Sequence, residues 1–77
     1  MTWWLAKYEN EADENDFGSC GAKEWKVAKE YLADELIFHD NLESDEAVMV
    51  LDEATEGTQF PDLKVGKYHF SLTMEQA

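Results

Sequence analysis

The chain has 77 residues and carries 18 Asp and Glu against six Lys and no Arg, a formal net charge of −12. This length predicts one small domain over residues 1–77, and the negative surface excludes nucleic acid and anionic lipid as favoured direct partners. Aromatic residues make up 13% of the chain, which indicates a folded domain rather than a disordered acidic segment.

The first predicted element is a strand over residues 2–9. Its apolar side chains alternate between two faces, with Trp3 and Leu5 on one and Trp4, Ala6 and Tyr8 on the other. Residues 10–21 are polar, acidic and end in glycines, which predicts a loop. Residues 22–38 predict a helix whose buried stripe repeats at helical spacing and consists of Trp25, Ala28, Leu32 and Leu36.

The second half of the chain is less clear. Residues 39–46 predict a polar connection, and residues 47–51 read AVMVL, a short β-branched run that favours a buried strand. A helix competes there, because Ser44 followed by Asp45 and Glu46 resembles a cap with an acidic first turn, and Gly57 could end it. Residues 55–66 predict a loop, and residues 67–74 alternate as a half-buried strand.

The predicted order is therefore β-α-β-β. The simplest architecture is α+β, a three-stranded and mostly antiparallel sheet with one helix packed on one face. Because one helix covers one face only, the opposite face leaves aromatic side chains among Trp3, Trp4 and Tyr8 for a partner to cover.

No metal or cofactor is predicted. Asp13, Asn15, Gly18 and Glu24 match positions 1, 3, 6 and 12 of a calcium-binding EF-hand loop, but Phe17 stands at position 5, where a ligand is required. An ordinary acidic loop is the favoured interpretation. A zinc site is disfavoured as well, because the candidate ligands have no ligand-type spacing; they are Cys20, His39 and His69.

Catalysis is not predicted either. Cys20 has no histidine nearby in sequence, the serines lie outside any recognisable nucleophile motif, and the four glycines are too scattered for a phosphate-binding loop. A domain of this size also has little room for a substrate pocket. We therefore expect a protein that is not an enzyme.

The acidic residues fall into two blocks without any basic residue. Residues 9–16 hold five and residues 34–62 hold ten, so the blocks together carry −15. Solubility alone could account for this charge. Alternatively, since duplex DNA carries one charge per about 1.7 Å of axis, fifteen charges correspond to about 25 Å of duplex, close to the domain's diameter. That match applies only if both blocks share one face.

These observations favour a non-enzymatic inhibitor or modulator, monomeric or weakly dimeric, that docks on a basic, nucleic-acid-binding surface of another protein. Small, very acidic cytosolic proteins include many phage-encoded inhibitors of host defence, some of them DNA mimics, and this chain is similar to that class in size and acidity. The predicted contact residues are Glu9, Glu11, Asp13, Glu14, Asp16, Asp34, Glu35, Asp40, Glu43, Asp45, Glu46, Asp52, Glu53 and Glu56, with Trp3, Trp4 and Tyr8 as apolar anchors.

The alternative is a small accessory or structural subunit whose acidity serves only solubility. Either protein is expected in the cytoplasm, in the host cell if the chain is phage-encoded. A single Cys20 suits a reducing compartment, no secretory signal is visible, and the longest apolar run is far shorter than the roughly 20 residues of a membrane span.

Overall fold

The computed structural model describes residues 2–39 and 44–76. Its elements, in chain order, are β1 (Thr2–Asn10), β2 (Asp13–Ala22), α1 (Trp25–Phe38), α2 (Ser44–Glu53), β3 (Phe60–Val65) and β4 (Tyr68–Gln76). The strands form one antiparallel sheet in the order β2-β1-β4-β3. None of the helices in the described ranges has both the length and the apolar character needed to cross a membrane.

The α+β class is confirmed, but the predicted three-stranded sheet with one helix is wrong. Over residues 2–39 and 44–76 the sheet has four strands, and two helices pack on it. The helices and the sheet share one buried cluster, formed by Ala6, Trp25, Ala28, Leu32, Leu36, Ala47, Leu51, Val65, Phe70 and Leu72. Two strands, β2 and β3, lie in segments predicted as loops, and the predicted strand at residues 47–51 is part of a helix, α2.

The first difference is β2, which occupies most of the predicted loop at residues 10–21. Residues 17–22 pair with β1 one for one, and the register shifts only next to the turn. Asp, Asn and Gly have low strand propensity, yet pairing with the aromatic β1 overrides it. Gly18 is needed there, since a Cβ atom would stand 2.6 Å from the Tyr8 ring and 2.9 Å from the Tyr31 hydroxyl.

The second difference is α2, which contains the predicted strand at residues 47–51. Ala47 and Leu51 are buried one helical turn apart, whereas Met49 and Val50 between them are exposed. This is a helical pattern of burial. The competing helical interpretation is therefore correct in type and in its start at Ser44, but the helix ends at Glu53, before Gly57.

The remaining differences are one strand that was not predicted, β3, and the start of α1. The strand at residues 2–9 is confirmed as β1 and the helix at residues 22–38 as α1, which begins three residues later, at Trp25. The loop at residues 55–66 contains β3, an edge strand with Pro61 and a register shift between Phe60 and Leu63. The final strand is confirmed as β4, with Phe70 and Leu72 buried as alternation predicts.

The other face of the sheet is covered by no described helix. Side chains of directly paired residues project to the same face, so Trp3, Leu5, Lys7 and Glu9 of β1 lie on this side with Phe17 of β2. We call it the open face. The molecule measures 36 × 28 × 17 Å, with a radius of gyration of 11.8 Å.

Candidate docking surface

Both hairpin turns and the end of α1 lie at one end of the molecule, which we call the turn end. The Glu11 N–H in the β1–β2 turn donates to the Lys67 carbonyl in the β3–β4 turn, at 2.8 Å. His39, which follows α1, stacks on Tyr68 at the start of β4 with ring centroids 4.4 Å apart. The antiparallel order of the sheet thus brings the acidic β1–β2 hairpin beside the last turn of α1.

Asp16 is tied to the neighbouring strands at this end. The Tyr68 hydroxyl donates to its Oδ2 at 2.6 Å, and the Asn10 side-chain amide donates to the same oxygen at 3.3 Å. The Tyr68 hydrogen bond lowers the pKa of Asp16, and the same bond raises the pKa of Tyr68. The carboxylate is therefore held charged and in place.

His69 lies between two carboxylates on the open face. Its Nδ1 is 2.9 Å from Asp62 Oδ1 and its Nε2 is 3.0 Å from Glu11 Oε2, while Lys64 Nζ lies 3.7 Å from the other Glu11 oxygen. The hydrogen bonds to Glu11 and then Asp62 raise the pKa of His69, and the His69 bond lowers the pKa of Glu11. The arrangement favours an imidazolium that donates from both nitrogens.

Glu35 adds a further carboxylate from α1. Its Oε2 lies 3.4 Å from His39 Nε2. Burial raises the pKa of Tyr8 most, and the negative charge of Glu35 is the next largest cause. Among the described residues, the turn end carries seven carboxylates, and its basic groups are Lys64, Lys67 and the His69 ring, with Lys7 lining the same depression as Asp62. The carboxylates are Glu9, Glu11, Asp13, Glu14, Asp16, Glu35 and Asp62. The first acidic block is thus gathered at one end.

The second acidic block is divided. Asp34 is exposed on α1, and Asp52 near the end of α2 pairs with Lys29 at 3.6 Å. Glu53 and Glu56 follow, close in sequence to Thr58. The indole of Trp25, the first residue of α1, donates a hydrogen bond to the Thr58 carbonyl at 2.8 Å. Glu53 and Glu56 therefore lie at the end opposite to the turns. Because the blocks do not share one face, the comparison with 25 Å of duplex does not apply.

Four predicted contact residues lie between the end of α1 and the first turn of α2. Asp40 and Glu43 lie outside the described residues, and so does the side chain of Asp45, whose backbone is part of α2. Glu46 is exposed in the first turn of α2.

The predicted aromatic anchors lie on different faces. Trp4 and Tyr8 face the helices and pack against the buried cluster. Trp3 lies on the open face over Gly21, where an added Cβ would stand 2.9 Å from the indole. Sequence analysis missed Phe17, which is 68% exposed on β2. The available signal was an aromatic residue directly after the acidic residues 9–16.

The open face has a depression of about 380 Å³ between β2 and β3, lined by polar side chains with Phe17 at one side. Lys7, Glu9 and Ser19 contribute from one half, and His69 and Ser71 from the other. It is open to solvent and holds both signs of charge. The surface can make ion pairs and bury an aromatic ring, but it forms no enclosed chamber.

The candidate metal ligands are separated. Residues 13–22 form an extended strand about 30 Å long, so the residues that matched a calcium loop do not converge on one point. Cys20 pairs with Ala6 on the helix side of the sheet, whereas His69 lies on the open face. Within residues 2–39 and 44–76, no three His, Cys, Asp or Glu side chains are grouped to hold a metal ion.

Comparison with protein families, with curated proteins and with solved structures finds no significant match to this chain.

Proposed function

We propose that this chain is a non-enzymatic inhibitor or modulator that docks, through its turn end, on a basic surface of a partner protein. The observation that carries the proposal is the gathering, among the described residues, of seven carboxylates at that end, where the basic groups are two lysines and the His69 ring. Such a surface attracts a basic partner over a distance of roughly a Debye length, about 8 Å at physiological salt.

Pre-positioned charge supports docking more than charge on flexible side chains does. Asp16 is held by Tyr68 and Asn10, and Glu11 is held by His69 and Lys64. Ion pairs formed by such carboxylates lose less side-chain entropy on binding than pairs formed by free ones.

Apolar contact would come from the open face beside the hairpin. A charged rim alone seldom gives tight binding, which requires a desolvated anchor. Phe17 is exposed within the acidic hairpin, and the half-buried Trp3 lies further along the same face. This arrangement combines an acidic steering region with an aromatic contact.

The partner surface that suits this end best is one that holds nucleic acid, because it presents Lys and Arg spaced to bind phosphates. The protein would compete with nucleic acid for that surface in the cytoplasm, the host cytoplasm if the chain is phage-encoded.

Two double variants of equal net charge test the location of the docking surface. Glu9→Lys with Glu14→Lys changes the turn end, and Glu53→Lys with Glu56→Lys changes the opposite end; each raises the net charge from −12 by four to −8. Tagged wild type and both variants are used to capture partners from lysate, which are eluted in salt steps and identified by mass spectrometry.

The expected result is a nucleic-acid-handling protein that is released at a few tenths molar salt. It should be retained by the Glu53/Glu56 variant and bound at least about tenfold more weakly by the Glu9/Glu14 variant, a difference of about 1.4 kcal/mol. Equal losses in both variants would show that net charge alone matters. A partner that survives high salt with both variants would favour the accessory-subunit alternative.

A further inference from the structure

The two edges of the sheet differ in how they are protected. β3 is short, contains Pro61, shifts register between Phe60 and Leu63, and carries Lys64. Each of these features discourages a further strand from pairing. β2 has ten residues with neither Pro nor Lys, and among the described residues its backbone pairs only with β1. One edge is blocked and the other is open.

Apolar side chains flank the open edge on both sides of the sheet. Phe17 projects from β2 on the open face and is 68% exposed. On the helix side, α1 lies over β2. The Tyr31 hydroxyl of α1 reaches Gly18 of β2, where an added Cβ atom would stand 2.9 Å from it. Val27 precedes Tyr31 by four residues and Phe38 follows it by seven, so both lie on the same side of α1 as Tyr31. Val27 is 47% exposed and Phe38 is 79% exposed. A strand added to β2 would bury these side chains.

The charges along β2 indicate what kind of chain would pair with it. Asp13, Glu14 and Asp16 occupy its first half, with Glu9 beside them on β1, whereas residues 17–22 are uncharged. A basic residue in an added strand would meet carboxylates in one half, and apolar residues would meet Phe17 in the other. A second copy is disfavoured because it brings another −12 and offers no lysine on its own β2.

We infer that the β2 edge accepts an extended segment of the partner, bearing Lys or Arg, as a fifth strand of the sheet. Main-chain hydrogen bonds to β2 provide the contact, and the acidic half of the strand selects for a basic segment. This inference rests on the proposed function and states how the basic partner is recognised.

Nuclear magnetic resonance on the ¹⁵N-labelled full chain tests it with a defined probe, a decapeptide of alternating Lys and Val. The matched control peptide replaces two central Val by Pro, which keeps the charge, removes two backbone N–H groups and disfavours pairing as a strand. The first peptide should shift amide signals within residues 13–22 and slow their hydrogen exchange, with a dissociation constant of about 1 mM or tighter. The Pro-containing peptide should bind at least about tenfold more weakly.

Two protein variants of equal charge refine the location. Ser19→Lys places a lysine on the exposed edge, a feature that natural edges use to prevent pairing, and it should weaken binding of the Lys–Val peptide about tenfold. Thr2→Lys adds the same charge to β1 beyond the end of its pairing with β2 and should leave binding within about twofold of wild type.

Each other outcome overturns the inference in a recognisable way. Equal binding of both peptides would mean that charge attraction alone operates, which leaves the proposed function standing. Protection of residues 13–22 that grows with protein concentration and not with peptide would identify a second copy as the occupant. If no amide responds while the salt-sensitive partner is still captured, the partner docks elsewhere; if that capture fails as well, the proposed function falls with it.

Discussion

His69 joins three parts of the molecule through one side chain. The ring is on β4, Asp62 is on β3 and Glu11 is in the β1–β2 turn, and both ring nitrogens lie within 3.0 Å of a carboxylate oxygen. Neutral histidine can donate from only one nitrogen, so the protonated form satisfies both contacts. The charged ring thus links the acidic hairpin to β3, in addition to the Lys64–Glu11 contact, which does not depend on the charge of the ring.

Stability should therefore depend on pH through His69. Because its pKa is raised in the folded protein, its contribution is fully present below the unfolded-state pKa of about 6.5 and is lost as pH rises through the folded-state value. Denaturant unfolding of wild type and His69→Gln between pH 5.5 and 9 should show the advantage of wild type shrinking with pH.

The control for this series is Ser71→Ala, two residues along on the same face. Its effect on the free energy of unfolding should not change with pH over this range. If the stability advantage of wild type over His69→Gln stays constant up to pH 9, the charged bridge is contradicted.

Wild type should also lose stability below about pH 4. The pKa of Glu11 is lowered in the folded protein, so the contribution of its carboxylate disappears as the pH falls through that pKa.

At the scale of elements, α2 shows how one segment can satisfy two local patterns. The apolar run at residues 47–51 is rich in β-branched valine and predicts a strand. In the structure Ala47 and Leu51 are buried and Val48 is half-buried against the core, whereas Met49 and Val50 are exposed. The sheet has its four strands without this segment, and a second helix covers the part of the sheet that α1 does not reach.

Substitutions in α2 distinguish the two patterns. Leu51→Ala should lower the free energy of unfolding by about 2–5 kcal/mol, because it leaves a cavity at a fully buried site. Val50→Ala, at a site that is 41% exposed, should change it by less than about 0.5 kcal/mol. Urea denaturation measures both. If Val50→Ala lowers the free energy of unfolding as much as Leu51→Ala does, the Val50 side chain is buried and the helical pattern is contradicted.

At the scale of the whole molecule, the net negative charge acts on the stability of the fold. A net −12 is spread over a body of 36 × 28 × 17 Å, and at 0.01 M salt the Debye length is about 30 Å. Repulsion then acts across the entire protein and opposes folding. The ion pairs that the structure contains, such as Lys29 with Asp52, are partly exposed and add little in compensation.

Added salt should therefore stabilise the fold. The melting temperature should rise between 0.01 M and 0.5 M NaCl, followed by circular dichroism or calorimetry. The Glu9/Glu14 and Glu53/Glu56 double variants each carry a net charge of −8, which is −12 plus four. Their melting temperatures should rise less with added salt. A melting temperature that falls with salt would mean that the native ion pairs outweigh the repulsion.

Prediction from sequence succeeded where burial leaves a periodic pattern in an isolated segment. β1, α1 and β4 each carry apolar residues at the spacing of their own structure, so their type could be assigned without knowing their neighbours. β2 could not be assigned, because Asp, Asn and Gly have low strand propensity and the strand depends on β1 for its hydrogen bonds. For the candidate site, the cluster of acids in residues 9–16 was visible, but its contacts with Tyr68 and His69 join residues more than 50 positions apart.

The sequence by itself determined the α+β class, the strong negative charge, the two acidic blocks and the alternation that separates Trp3 from Trp4. Composition and short-range periodicity are properties of neighbouring residues, and they are the same whatever the rest of the chain does. Only the tertiary structure decided that the first acidic block meets the end of α1, that the second block is divided, and that β2 is an open edge. Those features depend on which strands pair and where the helices pack, and pairing is settled by burial and hydrogen bonding summed over the whole molecule.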